Sequence, residues 1–148
     1  MINIKCKSHQ RRSPHNQTDA TSIVKIENNS TRAFVRVMEN KKSEILISII
    51  CENVINGSII YTDEHKGYFK LGKFGFLHKS VCHKYNFVNP INGVHTQHVE
   101  SFHNEMKLEI KRRKGIKTEE RQKFLNEFCR FFNNKDFRLE KLLLMIKI

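Results

Sequence analysis

Ser58-Ile59-Ile60-Tyr61-Thr62-Asp63 reads as a short apolar strand that runs straight into a carboxylate. In α/β folds the carboxyl ends of strands are where ligand-binding groups gather, so Asp63 is the first candidate functional residue. Just upstream, Asn56-Gly57 closes a helix over residues 43–54, in which Ile45, Ile49, Ile50 and Val54 fall at helical spacing. Glycine suits the left-handed position that follows such a helix. Further upstream, residues 21–27 (TSIVKIE) and 31–38 (TRAFVRVM) alternate β-branched with polar side chains around the turn residues Asn28-Asn29-Ser30. That pattern predicts an antiparallel hairpin. Residues 7–19 are polar and basic and contain Pro14, which reads as an arm or loop.

Downstream of Asp63 the sequence predicts a brief helix or turn over 65–71 and a strand over 76–81. A loop over 84–94 carries Asn89-Pro90 and Asn92-Gly93. A long helix begins near Thr96, because Val99, Phe102, Met106 and Ile110 repeat at three and four, and Gly115 ends it. Thr118 reads as the N-cap of a further helix with Glu119 and Glu120 in its first turn. The core face of that helix is read as Phe124, Leu125, Phe128, Phe131 and Phe132. The order is strand, strand, helix, strand ending in Asp, strand, helix carrying Glu, helix. This is a mixed α/β chain, divided into a basic arm (1–20), a single domain (21–135) and an apolar C-terminal helix (136–148).

The 148 residues suffice for one core, burying about 68–70% of the unfolded surface. Twenty-seven Lys and Arg against fifteen Asp and Glu leave a net charge of +12, which favours a polyanionic partner. No apolar stretch approaches the roughly 18 residues of a membrane span, and the start of the chain lacks the pattern of a signal peptide. Cys6, Cys51, Cys82 and Cys129 are scattered and form no C-x-x-C pair, so neither a zinc ribbon nor a disulfide framework is expected. An intracellular protein follows, nuclear in a eukaryotic host and cytoplasmic in a bacterial one.

A second carboxylate, Glu100, lies in the first turn of the long helix, at the edge of its core stripe. Each acid has an ordinary reading by itself: Asp63 as a strand-end turn former, Glu100 as helix dressing. Together, two carboxylates from different elements can hold Mg²⁺, which takes oxygen ligands and keeps phosphate oxygens and water in its shell. With a third, two ions can be held about 3.5–4 Å apart for in-line phosphoryl transfer. Lysines 66, 70, 73, 79 and 84 follow Asp63. Lys107, Lys111, Arg112, Arg113, Lys114 and Lys117 follow Glu100. A basic run beside the carboxylates supplies the phosphate neutralisation that DNA binding requires. Tyr61, Tyr68, Phe69 and Tyr85 are candidates for stacking on bases. Glu100 and His103 have the Glu-x-x-His spacing of carboxylate di-metal bundles, and a zinc site can be drawn from His78, Cys82, His83 and His95. Neither has the paired short spacings of a strong metal motif.

From Ile55 to Lys135 the chain resembles the DDE transposases of bacterial insertion sequences and their eukaryotic Merlin-type relatives. The matching stretches are Gly57-Ser58-Ile59-Ile60-Tyr61-Thr62-Asp63 with Lys66-Gly67-Tyr68, then Asn86-Phe87-Val88-Asn89-Pro90 and Gly93-Val94-His95-Thr96. Val99-Glu100-Ser101-Phe102 and Leu125-Asn126-Glu127-Phe128 complete them. The resemblance implies an RNase H-like fold, a mixed sheet flanked by helices. It also implies cleavage and strand transfer of DNA dependent on Mg²⁺ or Mn²⁺, with transposon ends and target DNA as partners. Carried over residue by residue, Asp63 matches the family's second catalytic and metal-binding carboxylate and Glu100 its third. His95, Asn104 and Lys107 fall in supporting positions. Lys66, Lys107, Lys111, Arg112, Arg113 and Lys114 are the expected DNA contacts.

One departure stands out. In the family the first carboxylate sits in an Asp-Glu pair, on a strand ahead of the hairpin. Here Ile2-Asn3-Ile4-Lys5-Cys6 carries no acid, and only two strands are read before the first helix, so the sheet is expected to lack its first strand. Asp19, the one acid upstream of the hairpin, is a poor replacement because it falls in a polar loop. The expectation is a transposase domain truncated at its amino end and catalytically degenerate. The alternative is a non-catalytic basic module that binds DNA. A homo-oligomer held by the apolar tail Leu142-Leu143-Leu144-Met145-Ile146 is a further possibility.

Overall fold

The computed structural model describes residues 2–5, 17–27, 30–81 and 97–135. The hairpin forms as the alternation requires: β2 (Gln17–Glu27) pairs antiparallel with β3 (Ser30–Met38), in register from Asp19 opposite Met38 to Glu27 opposite Ser30. A third strand, β1 (Ile2–Lys5), pairs antiparallel with the start of β2, from Ile2 opposite Ala20 to Lys5 opposite Gln17. Three strands therefore precede the first helix, and the expectation of a sheet lacking its first strand is corrected. The stretch read as an arm over 1–20 contains β1 and the first residues of β2. Four residues with two isoleucines are too short to carry a period-two signal. Their strand conformation comes from the backbone hydrogen bonds that β2 offers.

Successive side chains of a strand point to opposite faces, and here both faces are covered. Ala20 and Val24 of β2, with Ala33, Val35 and Val37 of β3, lie in one core with Phe102, Met106, Phe124, Leu125 and Phe132. Those partners come from α2 (Gln97–Arg112) and α3 (Arg121–Phe132). Ile23, Phe34 and Met38 face the other way, into a second core built by α1 (Ser43–Asn53), whose Leu46, Ile47, Ile49 and Ile50 are buried. The result is a sheet between two helical layers.

Val54 closes α1 with its N–H on the Ile50 carbonyl at 2.9 Å. Gly57 then takes φ +82°, the left-handed turn expected after the helix, and its N–H reaches the Gly75 carbonyl at 3.0 Å. The chain enters β4 (Ile59–Asp63), which pairs in parallel with β5 (Leu77–Val81), Ile59 opposite Leu77 and Asp63 opposite Val81. Two 3₁₀ turns, Lys66–Tyr68 and Leu71–Phe74, join them and bury Tyr68 and Leu71 in the second core. The β4–β5 pair shares no backbone ladder with the three-stranded sheet among the described residues.

Helix α3 begins one turn later than read. Thr118 opens a 3₁₀ turn, Thr118–Glu120, and the α-helix starts at Arg121. Its buried face is Arg121, Phe124, Leu125, Cys129 and Phe132, while Phe131, expected in the core, is 48% exposed. The amides of α3 also cover the outer edge of β3: Gln122 Oε1 accepts from the Val37 N–H at 2.8 Å, and Asn133 bonds both backbone groups of Ala33. An uncovered edge would present unpaired backbone groups. The predicted loop over 84–94 and the C-terminal helix over 136–148 lie outside the described residues. No helix among the described residues is long and apolar enough to cross a membrane.

Candidate functional site

Asp63 ends β4 half-buried, and its Oδ1 accepts from the His65 N–H at 3.4 Å. His65 in turn caps the next 3₁₀ turn, its Nδ1 accepting from the Gly67 N–H at 3.1 Å. The Thr62 hydroxyl donates to the Asp63 carbonyl at 2.7 Å and shares a hydrogen bond with His78 Nε2 at 2.8 Å, which ties the carboxyl end of β4 to the start of β5. Burial lowers the pKa of His78. The buried Tyr68 packs edge-on to His65, ring centroids 5.9 Å apart. Burial, then the negative charge of Asp63, pushes the Tyr68 phenol up to about 12, against the opposing effect of the Thr21 hydroxyl.

Glu100 stands half-buried in the first turn of α2. One turn on, His103 Nε2 meets the Ser22 hydroxyl of β2 at 2.5 Å. Burial, the positive amino terminus and Lys107 together bring the His103 pKa down to about 4, so the ring is neutral near pH 7. The Glu-x-x-His spacing thus exists on the helix, but its histidine is bonded to a strand hydroxyl. Asp19 is ion-paired to Lys41 at 3.1 Å and shares the strand parity of Thr21 and Ile23, facing the α1 layer and not α2. Among the described residues no three His, Cys, Asp or Glu side chains converge on one point. Among the described residues the donor set therefore does not supply the third carboxylate that two-ion chemistry needs. Of the zinc candidates, His78 is bonded to Thr62, and Cys82, His83 and His95 lie outside the described residues.

The cations divide in two. Lys66, Lys107, Lys111 and Lys114 are exposed. Arg112 reaches Glu109 at 3.1 Å with its own side chain 83% exposed. Arg113 is committed to the protein: it bonds Glu109 at 3.0 Å and Glu127 of α3 at 2.9 Å, and its guanidinium lies 5.1 Å from the Phe124 ring. Among the aromatic candidates, Tyr61 and Phe69 are exposed, Tyr68 is buried, and Tyr85 lies outside the described residues. Sequence reasoning missed Thr21 and Ser22, which read as ordinary polar residues of a strand. It also missed Arg121, which is almost fully buried and donates to Thr18 of β2.

Asp63 thus ends a strand, Glu100 stands in the first turn of a helix, and a set of lysines is exposed. The profile of the ISXO2-like transposase domain matches residues 2–133, and the chain belongs to that family. It is similar to a protein of Haemophilus influenzae described as an uncharacterized transposase-like protein. The two are 31% identical over 110 residues, covering 72% of this chain and 85% of the relative. No solved structure matches.

Proposed function

We propose that the chain is an RNase H-like transposase domain that binds DNA, retains two carboxylate positions of a cleavage and strand-transfer site, and lacks the first. The antiparallel order β1-β2-β3, the parallel pair β4–β5 and the helices on both faces support the fold reading. The observation that carries the functional reading is β1 itself. The strand ahead of the hairpin is Ile2-Asn3-Ile4-Lys5, without an acid, and Asp19 is turned to the opposite layer from α2 and held by Lys41. Mg²⁺ or Mn²⁺ would supply nucleophile activation and leaving-group stabilisation in an intact site.

The exposed Lys66, Lys107, Lys111, Arg112 and Lys114 neutralise phosphates, an interaction that releases counterions and weakens steeply with salt. The test is anisotropy of a labelled duplex at several salt concentrations, together with plasmid cleavage in Mg²⁺ and in Mn²⁺. The expected result is binding whose log K falls linearly with log salt, is unchanged in Asp63→Ala and Glu100→Gln, and is accompanied by no cleavage. Cleavage lost in Asp63→Ala would establish an active enzyme with another third ligand. Salt-independent or absent binding would remove DNA as the partner.

A further inference from the structure

The β4–β5 pair has two unlike faces. Alternation along β4 puts Ile60 and Thr62 on one of them, where Ile60 packs against the second core and the Thr62 hydroxyl bonds His78. Ile59, Tyr61 and Asp63 belong to the other face. The parallel register sets Leu77 beside Ile59 and Lys79 beside Tyr61 on that same face. Ile59 is 51% exposed, Tyr61 43% and Leu77 60%, and Lys79 is exposed as well. Paired strands lie about 4.8 Å apart, and alternate residues of one strand about 6.6 Å apart. An aromatic ring, a cation and the candidate carboxylate are therefore next neighbours on one open face.

Exposed apolar side chains gathered on one face mark a binding surface. The centre of a protein–protein contact is depleted of charge, whereas here Lys79 stands at the centre, directly beside Tyr61. A ring that can stack on a base, next to a cation that can neutralise a phosphate, is the pattern that suits an unpaired nucleic-acid strand. The net charge of +12 favours the same polyanion. A duplex keeps its base faces inside its own stack and could offer this surface only phosphates.

We infer that the outer face of β4–β5 is a platform for single-stranded DNA. Tyr61 stacks on an unpaired base, Lys79 neutralises the phosphate beside that base, and Ile59 and Leu77 extend the apolar floor to the next one. The strand so held runs toward Asp63. The inference rests on the reading of the chain as a DNA-binding domain and adds the state of the strand that this face grips.

The test is anisotropy of a labelled single-stranded oligonucleotide and of the matching duplex, with the full chain as wild type, Tyr61→Leu, Tyr61→Phe and Lys79→Gln. Tyr61→Leu keeps apolar bulk and removes the ring. It is expected to weaken single-strand binding roughly 5- to 150-fold, the loss of one stacked base, and to leave duplex binding unchanged. Tyr61→Phe should bind both as wild type does. Lys79→Gln should reduce the magnitude of the slope of log K against log salt on the single strand by about 0.7, one phosphate contact. Single-strand binding unchanged in Tyr61→Leu, or lost equally with duplex binding, overturns the inference. If Tyr61→Leu does not fold, Lys79→Gln decides, and an unchanged single-strand slope overturns it. Light scattering that shows a wild-type dimer split by Tyr61→Leu also overturns it, because a second copy then covers the face. A wild type that binds duplex and ignores the single strand overturns the platform alone and leaves the proposed function standing. One that binds neither removes both.

Discussion

Asn133 bonds both backbone groups of Ala33: its Oδ1 accepts from the Ala33 N–H at 2.7 Å, and its Nδ2 donates to the Ala33 carbonyl at 2.9 Å. The two residues lie 100 apart in the chain, at the end of α3 and on the outer edge of β3. Ala33 is buried, so water does not replace these bonds freely when they are removed. Asn133→Ala is expected to cost about 2 kcal/mol, the desolvation of two orphaned groups. In a chain of this length that lowers Tm by roughly 4–8 °C. Asn133→Asp keeps an acceptor for the N–H but turns a carboxylate on the carbonyl, so it should lie at or below alanine. Thermal melts read both variants, and hydrogen exchange at the Ala33 amide localises the loss. A Tm unchanged in Asn133→Ala would show that the edge is sealed without the side chain.

His103 gives the fold an acid-side weakness. Its pKa falls from an ordinary 6.5 to about 4 in the folded chain, chiefly through burial and secondarily through the amino terminus and Lys107. The unfolded chain then takes up a proton first as pH drops, so stability falls with pH between about 6.5 and 4. Above that window the ring is neutral in both states and the effect vanishes. The size is at most about 3 kcal/mol, from about 1.36 kcal/mol for each pH unit of the shift. Urea denaturation of wild type and His103→Gln at pH 7.5, 6 and 4.5 tests this. The wild-type curve should lose stability faster toward acid than the variant. Parallel pH dependence in the two proteins would place the acid sensitivity elsewhere.

Phe102 is the centre of the α2–α3 layer, fully buried with the Phe132 ring edge-on at 4.8 Å and Phe128 at 5.6 Å. Phe102→Ala removes the packing partner of both and leaves a cavity, at a cost of about 3–5 kcal/mol. Phe131→Ala, by contrast, should stay within about 0.5 kcal/mol because that ring is half in solvent. Equal losses measured by denaturant titration would contradict the burial of the α3 face.

That contrast shows where sequence reading stops. The hairpin, α1 and the Phe102–Met106 stripe were legible because each face repeats a period of two or of about 3.6 over many residues. Asp63 at a strand end and Glu100 in a helix's first turn followed from the same periodicity. Strand β1 was not legible, since Ile2-Asn3-Ile4-Lys5 is strand only because β2 pairs with it. On α3 hydrophobicity named Phe131 as core, but the register of the helix on β3 buries Arg121 and Cys129 in its place. Ser22 looks like a solvent-facing strand residue until His103 arrives from far along the chain. Tertiary partners decide such positions, and one-dimensional pattern holds no record of them.

Arg113 and Lys111 separate structural from DNA-binding charge within one basic run. Arg113 bridges Glu109 and Glu127 and lies over Phe124, so its charge is already matched inside the α2–α3 pair. Its bonds to Glu127 and Glu109 hold its own pKa above the ordinary value, and Arg113 lowers that of Glu127. Lys111 is exposed in the last turn of α2, two residues earlier. Arg113→Gln should cost about 1 kcal/mol of stability, the sum expected of an exposed ion-pair network and a cation–π contact. It should leave the salt slope of DNA binding unchanged. Lys111→Gln should leave Tm unchanged and reduce the magnitude of the slope of log K against log salt by about 0.9, one phosphate contact. Melting curves and anisotropy titrations on the same two variants give both readouts. A slope that falls in Arg113→Gln and not in Lys111→Gln would move the DNA-facing surface to the outer side of the α2–α3 junction.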